Sequence, residues 1–475
     1  MRIKIQNKIL NDNSYSSTIK SISALHVVKL HSLFTKKDHK IKSLSVKFLR
    51  KIIFIIFNFH NLFKIDTKIK RQIPKRELLI ISHFINHGQI NHKEDFYFGN
   101  LENILNKMKI SHFKLMINHT KYSSSYLNSR IKKKNLIILD KNLNIKIETE
   151  IFLKKIISIF ELLLVLVVKK INIKEFFTLI LSLFDSSTTF SMRVHYQIKD
   201  YVRKIRPNYF ILTYEGYPWE RMCINSVKKV NEKTKCIGYQ HTPVTQNHRA
   251  IFNHISGNFN PDKIWCSEIK SFQILKKKIH AKMKKSVYFI GNFKKIVGEK
   301  FKPPKSKNSF LVIPEGIYTE CESLFKFSLI LARRFQEYNF IWRVHPVIDF
   351  NKVLKNLKLN KTELPKNITI SLKKFEEDIF RSKYVIYKGS AAAIKSVVMG
   401  NYPIYFNSFN EKNFDPIIQI FKRRNYVSNE KNFLVFLKKT RNKNYKNEFK
   451  KSIFSLKNIY FSKPDLRKIK SHLLN

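Results

Sequence analysis

The sequence predicts an α/β fold built as two parallel-sheet domains in tandem, and three observations carry the prediction. From Glu77 onward, short apolar runs of strand length alternate with segments whose apolar residues recur every three or four positions. A polar stretch holding Pro303 and Pro304, broadly 296–308, separates two such series. At 475 residues the chain also exceeds what one core sustains, about 250–300 residues.

The first series runs ELLIISHF (strand), NLENILNKMK (helix), FKLMINHT and NLIILD (strands). A helical stretch from about 143 to 205 then interrupts the alternation. It resumes with NYFILTY (strand), PWERMCINSVKKV (helix, with Pro218 near its start) and KCIGYQH (strand). KIWCS and VYFIGN add strands around a helix at 268–278. The second series runs SFLVIPEG (strand), a helix from about Glu320 to Glu337, FIWRVHP and NITISL (strands), then a short helix. KYVIYKGSAAAIKSVVMG reads as strand, turn and helix, and YPIYF as a final strand. The divisions expected are a basic N-terminal extension 1–72, a first domain 73–295 with its insert 143–205, a second domain 305–430, and a helical tail 431–475.

Composition bounds the function. Apolar residues make up 43% and aromatic ones 13%, too rich for a disordered polycation. Lys+Arg total 91 against 34 Asp+Glu, a net charge of +57. The excess is mostly Lys in a chain also crowded with Ile, Asn and Phe, the bias an AT-rich coding sequence imposes. No RNP, zinc-finger or helix-turn-helix signature accompanies it, so no nucleic-acid partner is expected. Four cysteines without a CxxC pair suit a reducing cytoplasm. The N-terminus lacks a continuous apolar stretch of the kind a signal peptide needs. Ile156 to Val168 is apolar but holds Glu161, and falls short of the ~17–25 residues of a spanning helix. With Ile171–Phe184 it reads either as a buried helical pair or as an interfacial pair on anionic lipid, which Ile52–Phe57 could join.

Glycine is the sharper signal: ten occur where average usage of ~7% gives roughly 33. Those that remain mark turns or close approaches. Gly216 follows Glu215 at the end of NYFILTY, where ligands of parallel sheets bind. A carboxylate there can serve as general base or complement a helix start. Arg343-Val344-His345-Pro346 ends a second-domain strand: His345 and Arg343 can hold a phosphate, or Arg343 can pair inside the domain. Lys388-Gly389-Ser390-Ala391 opens a helix whose free N–H groups suit an anion, with Ser390 as cap or ligand. GxxxxGK[ST] and GxGxxG are both missing, against a P-loop or a dinucleotide-binding dehydrogenase. His241, after KCIGYQH, and Glu315-Gly316, after SFLVIP, are further cleft candidates. Glu220 reads as a solvated helix residue or a partner of Arg221. His83, His87 and His92 lack the acids of a metal site.

In order and placement these motifs resemble nucleotide-sugar glycosyltransferases of the GT-B architecture. The likeness is to the bacterial surface-polysaccharide group of sialyl-, polysialyl- and Kdo-transferases, with [DE]-[DE]-G, HP and S-[ST] motifs. LLIISHFINHGQINHKEDFYFGNLENIL, TYEGYPWE, IGYQHTPV, PDKIWCSE and GSAAAIKSVVMGNYPIYF are similar to the bacterial surface carbohydrate biosynthesis family for capsule and lipopolysaccharide. The likeness covers roughly 77–120 and 207–406. It implies two Rossmann-like domains facing each other across a cleft and metal-independent transfer without a cofactor. Glu215 would be the base. Arg343, His345, Pro346, Gly389, Ser390, Ala391, Glu315 and Gly316 would line the donor site, and Gly216 and His241 the acceptor side. The implied partners are a nucleotide-activated sugar, a CMP-sugar in that group, and a glycan or lipid-linked acceptor; the apolar pair and the basic charge suit an anionic inner-membrane surface besides. Tyr214 stands where the first acid stands and Ala391 where the second Ser/Thr stands. CDP-glycerol phosphotransferases have a similar His-Pro and Gly-Ser organisation, so the nucleotide stays open. A non-catalytic scaffold of a polysaccharide assembly complex is the remaining alternative.

Overall fold

Runs of Val, Ile, Leu and aromatic residues with no polar alternation belong in sheets covered on both faces, and two such sheets form. The computed structural model describes residues 9–26, 75–91, 94–168, 171–245, 247–294, 308–407, 415–417 and 426–474. The Ile52–Phe57 run, His92 and most of the 296–308 linker lie outside them.

The first sheet has seven strands: β1 (Leu78–Phe84), β2 (His112–Asn118), β3 (Leu136–Ile138), β4 (Tyr209–Thr213), β5 (Lys235–Gln240), β6 (Lys263–Cys266) and β7 (Val287–Phe289). All are parallel, in the order β3-β2-β1-β4-β5-β6-β7. The winding reverses between β1 and β4, which pair Ile80 with Ile211. Such a reversal opens a crevice at the strands' carboxyl ends.

The insert between β3 and β4 is three helices, Ile145–Val167, Ile173–Leu183 and Ser186–Ile205, rather than one stretch. Asn172 and Glu175 form a capping box that starts the second. The third lies on the helix Pro218–Val230 and sends Val194, Ile198, Val202 and Ile205 into the first core. The segment 9–26, which the sequence leaves without an element, packs Ile9, Leu10, Ile19, Ile22 and Leu25 against Leu162, Val165 and Leu179 of the insert. The insert is therefore buried on one face only. Among the described residues no helix is long and apolar enough to cross a membrane.

Two histidines in this region, His26 and His195, are nearly fully buried. Burial, outweighing a carbonyl contact in each, pulls both down to about 4. The unfolded chain protonates them near 6.5 and the folded chain does not, so stability is full above 6.5 and falls as pH drops toward 4. Each contributes a slope of up to about 1.4 kcal/mol per pH unit there. Urea midpoints at pH 7 and pH 5 check this, with the lower midpoint expected at pH 5.

The second sheet has β8 (Ser309–Ile313), β9 (Asn339–Trp342), β10 (Ile368–Ile370), β11 (Tyr384–Tyr387), β12 (Tyr402–Phe406) and β13 (Tyr426–Val427), again parallel. Its order is β10-β9-β8-β11-β12-β13, reversing between β8 and β11. Phe310 on β8 stacks between Phe340 (5.1 Å) and Tyr384 (4.6 Å), so one aromatic layer ties three strands together.

The tail is helical: Glu430–Arg441 and Lys443–Tyr460 cover the second sheet, and Leu466–Leu474 returns to the first. The amides of Asn292 and Asp465 donate to the carbonyls of Ser462 and Ile290, both at 2.8 Å. Ile469 and Leu473 then complete the core around Leu78, Tyr239 and Trp265. Burial, with Lys263 and Lys468 nearby, holds the His472 imidazole down at about 4. Its Nδ1 accepts the fully buried Trp265 indole N–H at 2.9 Å. His472→Phe strands that donor and is expected to lower unfolding free energy by about 1–3 kcal/mol, read from urea melts.

Candidate active site

The carboxyl end of β4 turns through Tyr214-Glu215-Gly216 into the helix Pro218–Val230. Gly216 has φ +86°, and a Cβ there would lie 2.5 Å from the Ala250 carbonyl carbon, so only glycine makes this turn. Glu220 stands one helical turn on and reaches back. Its Oε2 accepts the backbone N–H groups of Glu215 (2.9 Å), Gly216 (2.7 Å) and Tyr217 (2.8 Å). Burial, then the Glu215 charge, push Glu220 well above the carboxylate range, against the pull of those three amides. Glu220 is thus neither solvated nor a partner of Arg221; it fixes the turn that carries Glu215. Arg221, fully buried, donates instead to Asn260 Oδ1 (2.6 Å) and to the carbonyls of Ala250 (3.0 Å) and Asn253 (2.8 Å). Tyr214, at the position of the first acid in the resembling motif, is core: its ring lies 2.7 Å from where a Cβ on Gly238 would be.

Glu215 is nearly buried, and its Oε1 accepts the Thr242 hydroxyl. Beside it, at the ends of β1, β2, β4 and β5, His83 Nδ1 meets His119 Nε2 and His83 Nε2 meets Thr213 Oγ1, both at 2.9 Å. Tyr97 packs on both His83 (4.6 Å) and His241 (5.1 Å), and Trp219 meets His83 edge-on at 5.2 Å. Burial, then His119 and His241, hold His83 well below its ordinary value, so this wall is neutral and aromatic. His87 stacks instead on Tyr122, 5.6 Å away. Among the described residues no three His, Cys, Asp or Glu side chains form a metal-binding group.

The second domain presents the ends of β8, β9 and β11 at its own reversal. Gly316 abuts His345, with a notional Cβ 3.0 Å from the ring Nδ1. Gly389 leaves room for the Glu315 carboxylate, whose Oε2 would be 2.2 Å from a Cβ there; Glu320 Oε2 lies 3.4 Å from the same point. Glu315, Gly316, His345 and Gly389 therefore converge. Burial lowers the His345 imidazole and Glu315 partly restores it. The Val347 N–H approaches His345 Nδ1 at 3.4 Å, which favours the tautomer with its proton on Nε2. Pro346 is exposed beyond it, and the Ile348 amide closes the turn on the His345 carbonyl at 2.9 Å.

Arg343 points into its own domain. Its Nη1 donates to buried Asp378 Oδ2 and to the Lys373 carbonyl, both at 2.7 Å. Ser390 is buried, whereas Ala391 and Ala392 are exposed at the start of a seven-residue helix, Ala392–Val398.

Tyr217 lies within reach of charges from both halves. Burial first, and then Glu215, Glu220 and Glu315 of the second domain, raise its phenol well above the ordinary value. Lys294, which the sequence does not single out, sits over the Tyr97 ring at 5.8 Å. Burial and Lys395 of the second domain lower its ammonium to about 8, with Asp95 opposing. Tyr97, Tyr217, Thr242 and Glu320 also went unmarked in the sequence. Thr242 alone left a local signal, following a strand-end histidine in QHTP.

No protein-family model and no curated protein sequence matches the chain. Solved structures do. A protein of Listeria monocytogenes assigned as a UDP-N-acetylglucosamine 2-epimerase has a TM-score of 0.50 at 12% identity, covering 83% of this chain and 96% of its own. The glycotransferase of kitacinnamycin has a TM-score of 0.50 at 10% identity over 84% and 99%. S. aureus MnaA, solved with UDP, has a TM-score of 0.50 at 10% identity over 84% and 97%. At these identities the likeness is one of fold: two parallel-sheet domains in the GT-B arrangement that the sequence predicts.

Proposed function

We propose that the chain is a glycosyltransferase that moves a sugar from a nucleotide donor to a glycan or lipid-linked acceptor of a cell-surface polysaccharide. The observation that carries this reading is that Glu215 stands at the carboxyl end of β4 in the first sheet, while Glu315, Gly316, His345 and Gly389 converge at the strand ends of the second. A carboxylate at the end of β4 whose Oε1 accepts the Thr242 hydroxyl has its second oxygen to take a proton. As the acceptor hydroxyl gives that proton to Glu215, its oxygen attacks the anomeric carbon from the face opposite the nucleotide. The bond from that carbon to the phosphate oxygen breaks, and His345 Nε2–H donates to the departing phosphate. The step inverts the anomeric centre and asks for no metal or cofactor. The His83–Tyr97–Trp219–His241 wall offers rings on which the apolar faces of a sugar can pack. A cytoplasmic protein attached at the inner membrane is the setting this reading implies.

Isothermal titration with CMP, CDP and UDP tests the reading. One of the three is expected to bind the native chain, and binding of none would refute the transferase in favour of a scaffold. His345→Ala removes a charge-assisted phosphate contact and is expected to weaken that binding by about 1.5–3 kcal/mol.

A further inference from the structure

The helix Ile145–Val167 is apolar on its exposed side as well as on its buried one. Between Ile151 and Val168 every exposed position is a large apolar residue, while Lys155 and Ser158 are buried. Lys155 Nζ is held by Thr189 Oγ1 at 2.5 Å, so burial of the charge is part of the packing. Five of the seven, Leu153 (54%), Ile157 (57%), Phe160 (63%), Leu164 (67%) and Val167 (73%), form a stripe at spacings of four, three, four and three, one continuous helical face; Leu163 (38%) and Val168 (59%) are the other two. On the helix Ile173–Leu183, which packs against this one, Ile173 and Phe177 are exposed as well. An apolar patch of this kind marks a surface meant to be covered.

We infer that this helical hairpin docks through its exposed apolar residues into the interfacial region of a membrane rich in anionic lipid. The charge of the chain chooses lipid over a second copy of the chain. The net charge of +57 sets two copies against each other and draws the chain to an anionic surface. The acids of these helices do not oppose it. Glu148 is paired with Arg193, Glu150 with Lys154, Glu161 accepts the Ser16 amide, and Glu175 is taken up in its capping box. As the source of a lipid-linked acceptor the membrane rests on the transferase reading, yet vesicle binding and nucleotide binding fail separately.

The test is flotation of the full chain with phosphatidylcholine vesicles, with and without phosphatidylglycerol. The native chain is expected to float with the phosphatidylglycerol vesicles, and less so as salt is raised. The triple variant Phe160→Gln, Leu164→Gln, Val167→Gln changes exposed positions only. It should bind those vesicles at least ~10-fold more weakly, with an unchanged circular dichroism spectrum and unchanged nucleotide titration. Three results would overturn the inference: no flotation of the native chain, equal flotation with phosphatidylcholine alone, or undiminished binding by the variant. So would a native dimer that the same variant turns into a monomer, since a second copy would then cover the face.

Discussion

Glu215→Gln is expected to reduce sugar transfer by ~10²–10⁴-fold, the usual consequence of removing a general base, while leaving nucleotide affinity unchanged. The substitution keeps the shape of the side chain and an Oε1 that accepts the Thr242 hydroxyl. What it removes is the lone pair that takes the acceptor's proton. The surrounding turn does not depend on the Glu215 carboxylate, because its three amides are tied to Glu220 instead. The variant should therefore melt like the native chain. A drop in kcat without a change in nucleotide affinity separates a base from a binding residue. A fall in nucleotide binding of the same size as the fall in kcat would instead place Glu215 on the donor.

Gly216→Ala is expected to lower unfolding free energy by about 2–5 kcal/mol. Holding an L-residue in the left-handed region accounts for ~1–2 kcal/mol, and forcing a methyl into a filled space for ~1–3 kcal/mol. Relief is blocked because the clash is with backbone: the Ala250 carbonyl carbon at 2.5 Å and the Ile251 amide nitrogen at 2.6 Å. The Ala250 carbonyl also accepts from Arg221 Nη2 at 3.0 Å, so displacing it disturbs a fully buried guanidinium. Urea unfolding read by tryptophan fluorescence and circular dichroism gives the loss directly. Trp219, one helical turn on, reports the local change.

Much of the fold was legible because strands covered on both faces read as unbroken apolar runs. LLIISHF, YFILT and SFLVI became β1, β4 and β8 with little shift in their ends. The Glu215-Gly216 turn was legible because glycine is scarce in this chain and its positive φ has no substitute. Glu220 was misread as solvated. Its position three residues after Tyr217 is the spacing at which a helix-start glutamate turns back onto the preceding amides, and the burial of its whole turn depends on the loop at 250–260. The wall of His83, Tyr97, His119 and His241 was not legible, because its members come from separate crossovers and only the sheet order brings them together. Likewise β13 is two residues long, too short for any periodicity. The segment 9–26 carries few apolar residues in a row and gains its place from the insert it covers.

The division of labour across the cleft is tested most directly by a crossed comparison of Glu215→Gln and His345→Ala, each titrated with the nucleotide that binds the native chain and each assayed for transfer. Glu215→Gln should bind that nucleotide as the native chain does and turn over ~10²–10⁴-fold more slowly. His345→Ala should bind it about 1.5–3 kcal/mol more weakly. Native turnover by Glu215→Gln, or native affinity in His345→Ala, would contradict a base on the first domain and a phosphate contact on the second.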